Sequence, residues 1–97
     1  MVEHLVLIKH KADTTAEQKQ QLIDGLKSLK GKIDGIEELT VGDNFSDRSQ
    51  GFQIGVLVRF TSRQALEAYG PHPAHQEVVQ RDLLPIKEDV IVVDFEA

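Results

Sequence analysis

The chain has 97 residues, of which 40% are hydrophobic and 28% are charged. This size and composition predict one globular domain over residues 1–97 and argue against a disordered chain. The 16 acidic residues outnumber the 11 lysines and arginines, giving a net charge of −5, which disfavours nucleic-acid binding. The absence of cysteine excludes disulfides and cysteine-ligated metal sites. The longest apolar runs, residues 5–8 and 90–93, are too short for a membrane-spanning helix or a signal peptide. We therefore expect a cytoplasmic protein.

The first half of the chain predicts a strand, a helix and a second strand. Residues 4–11 are rich in aliphatic and β-branched residues, which is typical of a strand. Thr14 or Thr15 can cap the following helix, and Glu17 lies three residues after Thr14, which is the spacing of a capping box. The helix carries one apolar stripe, formed by Leu22, Leu26, Leu29 and Ile33. Glycines near its end favour termination, and residues 36–41 then predict the second strand.

The third strand has the clearest pattern in the chain. After a polar loop at residues 45–50, Gly51 opens a segment in which apolar side chains share one face: Phe52, Ile54, Val56, Val58 and Phe60. Thr61 or Ser62 can cap a second helix that contains Tyr69.

A break and a final strand complete the predicted order. Two prolines interrupt the second helix at residues 70–73, and helical spacing resumes over residues 74–84. Residues 90–95 predict the last strand, while the acidic Asp82, Glu88 and Asp89 are expected to be loop charges.

The predicted order, β-α-β-β-α-β, indicates an α+β fold of the ferredoxin-like type, with helices on one face of a four-stranded antiparallel sheet. The other face would be open in a monomer. It carries apolar side chains from the first and last strands, namely Leu5, Leu7, Ile91, Val93 and Phe95. Because such a face is usually covered, we expect a homodimer through the open sheet face, in which two sheets form a dimeric α/β barrel.

The segments in this order resemble the stress-responsive A/B barrel domain (Dabb) family of dimeric α/β barrels. The most specific segments are residues 65–69 and the His-Pro-x-His motif at residues 72–75. Further similar segments are residues 3–9, 42–46, 51–52, 58–60 and 92–95.

This resemblance implies a candidate site. In a polyketide cyclase of the family, a histidine of the His-Pro-x-His motif is the general base, assisted by an upstream tyrosine and by a histidine on the first strand. The matching residues are His75, Tyr69 and His4. A second pocket tyrosine of that enzyme is replaced here by Leu26, which weakens the case for the same substrate.

The residues themselves suit this chemistry. Histidine titrates near neutral pH and can act as a general base, and a tyrosine hydroxyl can donate to an oxygen that gains charge. His4 shares the even-numbered face of its strand with Val6 and Ile8, so it is expected to face the helices. We therefore expect an apolar small-molecule site lined by Val6, Ile8, Leu26, Tyr69 and His75, serving as a binding site or as a cofactor-free, cyclase- or lyase-type active site for a carbonyl compound.

Other interpretations remain open at this stage. The three site residues can be packing residues of a non-catalytic, stress-responsive dimer, and related dimeric barrels include cofactor-free monooxygenases. A metal site at His72 and His75 with Asp94 or His4 is disfavoured, because Pro73 disturbs the helical spacing between the two histidines. His72 is expected to be an exposed cap or turn residue. No cofactor, metal, nucleic-acid or membrane partner is expected.

Overall fold

The computed structural model describes all 97 residues and has the predicted element order, with the second helical region in two parts. One hydrogen-bonded sheet has the strand order β2-β3-β1-β4, and all its neighbouring strands are antiparallel. The α+β, ferredoxin-like fold is therefore confirmed. The elements are β1 (Val2–His10), α1 (Ala16–Ser28) with a 3₁₀ turn at Leu29–Gly31, β2 (Ile36–Asp43), β3 (Ile54–Phe60), α2 (Arg63–Tyr69), α3 (Pro73–Val78) with a π-helical continuation at Val79–Leu83, and β4 (Lys87–Glu96).

The N-terminal cap of α1 lies one residue later than the predicted capping box. The Thr15 hydroxyl accepts from the Gln18 backbone N–H at 3.1 Å, and the Gln18 side chain accepts in return from the Thr15 N–H at 2.9 Å. Thr14 lies in the preceding turn, where its N–H donates to the Lys11 carbonyl at 3.1 Å. The box therefore uses Gln18 and not Glu17, and the helix begins after Thr15.

The core lies between α1 and the helix-facing side of the sheet. All four residues of the predicted α1 stripe are buried, as are all five alternating residues predicted for the third strand. The strand itself begins only at Ile54, because Gln50 and Gly51 have positive φ angles of 52° and 87° and turn the chain before it. The two apolar surfaces pack together and leave the opposite sheet face without a covering layer.

Asp82 is not a loop charge, and that prediction is wrong. It is 6% exposed on the π-helical turn, where Arg81 donates to both of its carboxylate oxygens at 2.9 and 2.8 Å. Gly25 of α1 makes room for it, since a Cβ at that position would lie 2.6 Å from Asp82 Oδ2. Glu88 and Asp89 are exposed, but they lie on β4 and not in a loop.

The open sheet face carries exposed apolar side chains on a central strand and an edge strand. They are Leu57, Ile91, Val93 and Phe95, each between 39% and 48% exposed. None of the helices combines the length and apolar character needed to cross a membrane.

Candidate functional site

Three aromatic side chains from separate elements meet on the helix side of the sheet. The ring centroids of Tyr69 and His75 are 4.3 Å apart, and those of His4 and Tyr69 are 5.9 Å apart. Phe60 of β3 packs edge-on against both His4 and Tyr69, with centroid distances of 6.1 and 5.0 Å. The structure thus brings together the three residues that the sequence singles out.

His4 is oriented by the register between β1 and β4. It lies directly opposite Asp94, and its Nδ1 is hydrogen-bonded to the Asp94 carboxylate. Because a carboxylate accepts hydrogen bonds, Nδ1 carries the hydrogen in this contact. The other ring nitrogen, Nε2, is not used by it. The His4 side chain is 14% exposed and that of Asp94 is 43% exposed, so this pair links the cavity wall to the surface.

Tyr69 ends α2, a helix that begins after Ser62, whose hydroxyl accepts from the Ala65 N–H at 3.1 Å. The Tyr69 side chain is buried, and burial raises the pKa of its hydroxyl to about 12. The phenol therefore stays protonated at neutral pH and can act only as a neutral hydrogen-bond partner there.

His75 lies on the first turn of α3. The break before it is organised by His72, the N-cap, whose Nδ1 accepts from the Ala74 N–H at 3.0 Å, so the expectation of a cap residue is confirmed. His72 is half-buried, so the expectation that it is exposed is wrong. His75 Nδ1 lies 2.9 Å from the Gly70 carbonyl oxygen. Since a carbonyl only accepts, Nδ1 carries the hydrogen, and the unprotonated Nε2 is the basic atom of the neutral ring.

The local environment favours this neutral form. Burial lowers the pKa of His75 below its usual 6.5, and the nearby His4 and His72 lower it further, while the Gly70 hydrogen bond opposes the shift. His75 is therefore neutral at pH 7 and has a lone pair on Nε2 that can accept a proton.

The site residues line two adjoining chambers. The inner chamber has a volume of about 60 Å³ and the outer about 260 Å³. Ile8, Leu26, Val56 and Val78 line only the inner chamber, and Leu66, Gly70, Val90 and Val92 line only the outer one. Residues common to both are His4, Val6, Tyr69, His75, Val79 and Leu83. The polar groups thus lie at the junction of two largely apolar spaces.

The partnership of His4 with Asp94 is the main feature that sequence reasoning missed. Sequence analysis names Asp94 as a candidate metal ligand and includes it in the family-like segment at residues 92–95, but it does not predict a contact with His4. The sequence does contain a signal for this contact. The histidine and the aspartate lie at opposite ends of the chain, on two strands that are neighbours in a ferredoxin-like sheet. Nowhere in the chain do three or more His, Asp or Glu side chains come together in a way that could hold a metal ion.

Comparison with known proteins identifies the family. The model of the stress responsive A/B barrel domain, Dabb, matches residues 2–97. The chain belongs to this family. A stress-response A/B barrel domain-containing protein of Arabidopsis thaliana is 35% identical over 98 residues, which cover 97% of this chain and 36% of that protein. A second such protein of A. thaliana is 34% identical over 92 residues, which cover 94% of this chain and 41% of that protein. The chain thus spans well under half the length of these two relatives.

Solved structures of similar fold agree with this assignment. The crystal structure of At3g17210 from A. thaliana has a TM-score of 0.90 and 27% identity, covering 100% of this chain and 95% of that one. A protein of unknown function from Bacteroides fragilis has a TM-score of 0.85 and 27% identity, covering 99% and 95% of the two chains. The latter is described as dimeric with a ferredoxin-like fold.

Proposed function

We propose that this Dabb chain binds an apolar carbonyl compound in its two-chamber cavity and removes a proton from the carbon next to the carbonyl. The observation that carries the proposal is the junction of the chambers. There a neutral His75 with an unprotonated Nε2 stands beside a protonated Tyr69 among apolar walls. A base and a hydrogen-bond donor placed together are what enolate formation requires.

The proton balance of this reaction closes within the site. His75 Nε2 accepts the proton as the C–H bond breaks, and the electron pair moves toward the carbonyl oxygen. The Tyr69 hydroxyl donates a hydrogen bond to that oxygen as its negative charge grows. The resulting imidazolium can exchange its proton with water, and it then delivers a proton to the enolate carbon, which regenerates the carbonyl compound and neutral His75.

The His4–Asp94 pair places a second hydrogen-bonding group at the same junction. The Asp94 carboxylate accepts from His4 Nδ1 and holds the ring beside Tyr69. This bond leaves His4 Nε2 free, and in this proposal it is a hydrogen-bond partner for the substrate or for a water molecule in the cavity.

The walls define the chemical class of ligand. Aliphatic side chains surround the polar junction, so a compound with one carbonyl and an apolar body fits better than a charged metabolite. An aryl methyl ketone such as acetophenone is a suitable probe, since it has one carbonyl, exchangeable α-protons and no charge.

Binding of this probe can be mapped by methyl NMR. Addition of acetophenone is expected to shift the methyl signals of cavity residues Leu26, Val56 and Val78, and to leave those of Leu57 and Val93 on the open face unchanged. Native mass spectrometry of freshly purified protein provides a search for a retained natural compound. Shifts confined to the open face, or no shift at all, would contradict the proposed site.

We further propose that two copies associate through their open sheet faces. The exposed apolar side chains of β3 and β4 on this face support it, because a domain of this size has a small core and gains stability by covering them. Structural neighbours described as dimeric are consistent with this assembly.

If the dimer forms through this face, a single charged side chain placed on the face should weaken the association of the two copies. The wild-type chain is expected to sediment as a dimer at micromolar concentration, and Leu57→Lys is expected to shift it toward the monomer, because a lysine at the centre of the face would be buried without a partner. Gln64→Lys, which adds the same charge at an exposed position on α2, is the control and should remain dimeric. A folded wild-type monomer at that concentration would refute the assembly.

A further inference from the structure

The carbonyl oxygen of Gly70 receives hydrogen bonds from two side chains, and the proposed reaction uses only one of them. His75 Nδ1 lies 2.9 Å from this oxygen, and Gln76 Nε2 donates to it at 2.7 Å. Gly70 is the C-cap of α2, where the last carbonyl groups of a helix have no N–H partner within the helix. Both lone pairs of the oxygen are therefore used by consecutive residues of α3.

Gln76 reaches this oxygen from outside the cavity. The residue is exposed and lines neither chamber, so it does not contact a ligand bound there. Its backbone N–H donates to the His72 carbonyl at 3.0 Å, which holds it in the first turn of α3 beside His75. Gln76 can therefore act on a bound ligand only through the Gly70 carbonyl and the His75 ring.

The second hydrogen bond reduces what the first can offer to a charged ring. The positive end of the Gln76 amide N–H points at the Gly70 oxygen and lowers the negative potential that this oxygen exerts on His75 Nδ1. A hydrogen bond from a charged donor is stronger than one from a neutral donor, so the imidazolium loses more than the neutral imidazole does. The Gln76 amide thus favours the neutral ring.

A water molecule in place of the amide would not have the same effect. The Gln76 side chain is fixed at both ends, by its backbone in α3 and by its bond to the Gly70 oxygen. Water is free to turn its dipole when the ring becomes charged, whereas a fixed amide keeps its orientation. The side chain is therefore a preorganised dipole next to the base.

No other group competes for this role. The titratable side chains that face the His75 ring are His4 on β1, Tyr69 at the end of α2 and His72 at the break before α3. Helix α1, the π-helical turn and β4 present only aliphatic side chains to the chambers, and no carboxylate lines either one. Asp94 is hydrogen-bonded to His4. The Gly70 carbonyl is thus the group that stabilises a charged His75, and Gln76 shares it.

We propose that Gln76 is a positioning residue for the general base, whose amide occupies the second lone pair of the Gly70 carbonyl oxygen and thereby keeps His75 neutral and able to accept a proton at Nε2. This inference rests on the role of His75 in the proposed function and adds to it a residue outside the cavity. A substitution at this exposed position changes the reactivity of the site without changing its walls.

Two substitutions of Gln76 should shift the pKa of His75 in opposite directions. Gln76→Leu is expected to raise it by roughly 0.3–0.5 unit, because the carbonyl then holds the imidazolium more strongly. Gln76→Lys is expected to lower it by a similar amount, since the ammonium donates to the same oxygen and adds positive charge. NMR titration of the ring C–H signals without ligand measures both, and His75→Gln assigns the signal. A merely structural contact would shift both variants in the same direction.

The matched controls make the same changes at Gln80, which is four residues further along the chain, exposed and outside both chambers. Gln80→Leu should leave the pKa of His75 unchanged, and Gln80→Lys measures the effect of the added charge alone. An unchanged or lowered pKa in Gln76→Leu, or equal shifts at the two positions, would overturn the inference.

Exchange of the α-protons of acetophenone separates this inference from the function on which it rests. In Gln76→Leu the midpoint of the pH profile should rise with the pKa of His75. About one unit below the midpoint the rate should fall roughly two- to threefold, while the rate near neutrality stays within about twofold. If the pKa shifts as expected but wild-type protein exchanges no protons, the enolisation falls and the effect of Gln76 on His75 stands. If wild-type protein exchanges protons and Gln76→Leu has the wild-type midpoint, the inference falls and the function stands.

Discussion

Substitution of His75 with glutamine is expected to reduce α-proton exchange of acetophenone by a factor on the order of 10²–10⁴, because the variant lacks the general base. Glutamine retains a side-chain group that can bond to the Gly70 carbonyl, so the local turn should persist. The measurement is loss of the methyl proton signal in D₂O, followed by NMR and corrected for buffer-catalysed exchange.

The matched control for this experiment is His10→Gln. His10 lies at the far end of β1, lines neither chamber and has its Nδ1 3.0 Å from the Lys11 carbonyl oxygen. Its loss should leave the exchange rate unchanged. Tyr69→Phe should have a smaller effect than His75→Gln, since water can take the place of the phenol. Equal rates in wild type and His75→Gln would remove His75 from the mechanism.

The same reaction should depend on pH in a defined direction. Only neutral His75 can accept a proton, and burial holds its pKa below 6.5. The exchange rate should therefore rise with pH through a midpoint below 6.5 and level off near neutrality. Tyr69, with a pKa of about 12, remains protonated across this range and adds no second inflection.

Substitution of Phe60 with alanine is expected to lower the free energy of unfolding by about 3–5 kcal/mol. Phe60 is fully buried and supports both His4 and Tyr69 by ring contacts, so truncation leaves a void beneath the site. This loss is large against the total of about 5–15 kcal/mol that is typical of a small domain. Urea unfolding at one fixed protein concentration measures it, because dimerisation makes apparent stability depend on concentration.

Phe45→Ala is the matched control, because it removes the same side chain from an exposed position. Its side chain is fully exposed just after β2, so Phe45→Ala should change the free energy of unfolding by no more than about 0.5 kcal/mol. If the two variants lost equal stability, the packing of Phe60 described above would be wrong.

Much of this fold can be predicted from local pattern. Alternation along β3 identifies its buried face, and the spacing of leucines in α1 identifies the stripe that covers it, because strands and helices repeat with fixed periods. Boundaries are less predictable. Neighbouring polar residues compete for one cap, so the choice between Thr14 and Thr15 depends on which N–H the preceding turn uses.

The candidate site is predictable in part. The parity of β1 places His4 with Val6 and Ile8 on the helix side, and the family motif singles out Tyr69 and His75. The distance between those two rings depends on how the chain turns at Gly70–Pro73, where backbone and side-chain hydrogen bonds to the Gly70 carbonyl set the geometry. No periodicity describes such a turn.

The order of the elements, the faces of the strands and the family can be predicted from the residue pattern of the chain. Which polar groups meet depends on the folded arrangement. Asp94 reaches His4 and Arg59 reaches Glu3 across strand pairs whose members are 90 and 56 residues apart in the chain. Asp82 is buried because Gly25, on another helix, leaves space for it. Hydrogen bonds and close packing act over a few ångströms, so these partners are set by register and packing between distant segments and not by the local residue pattern.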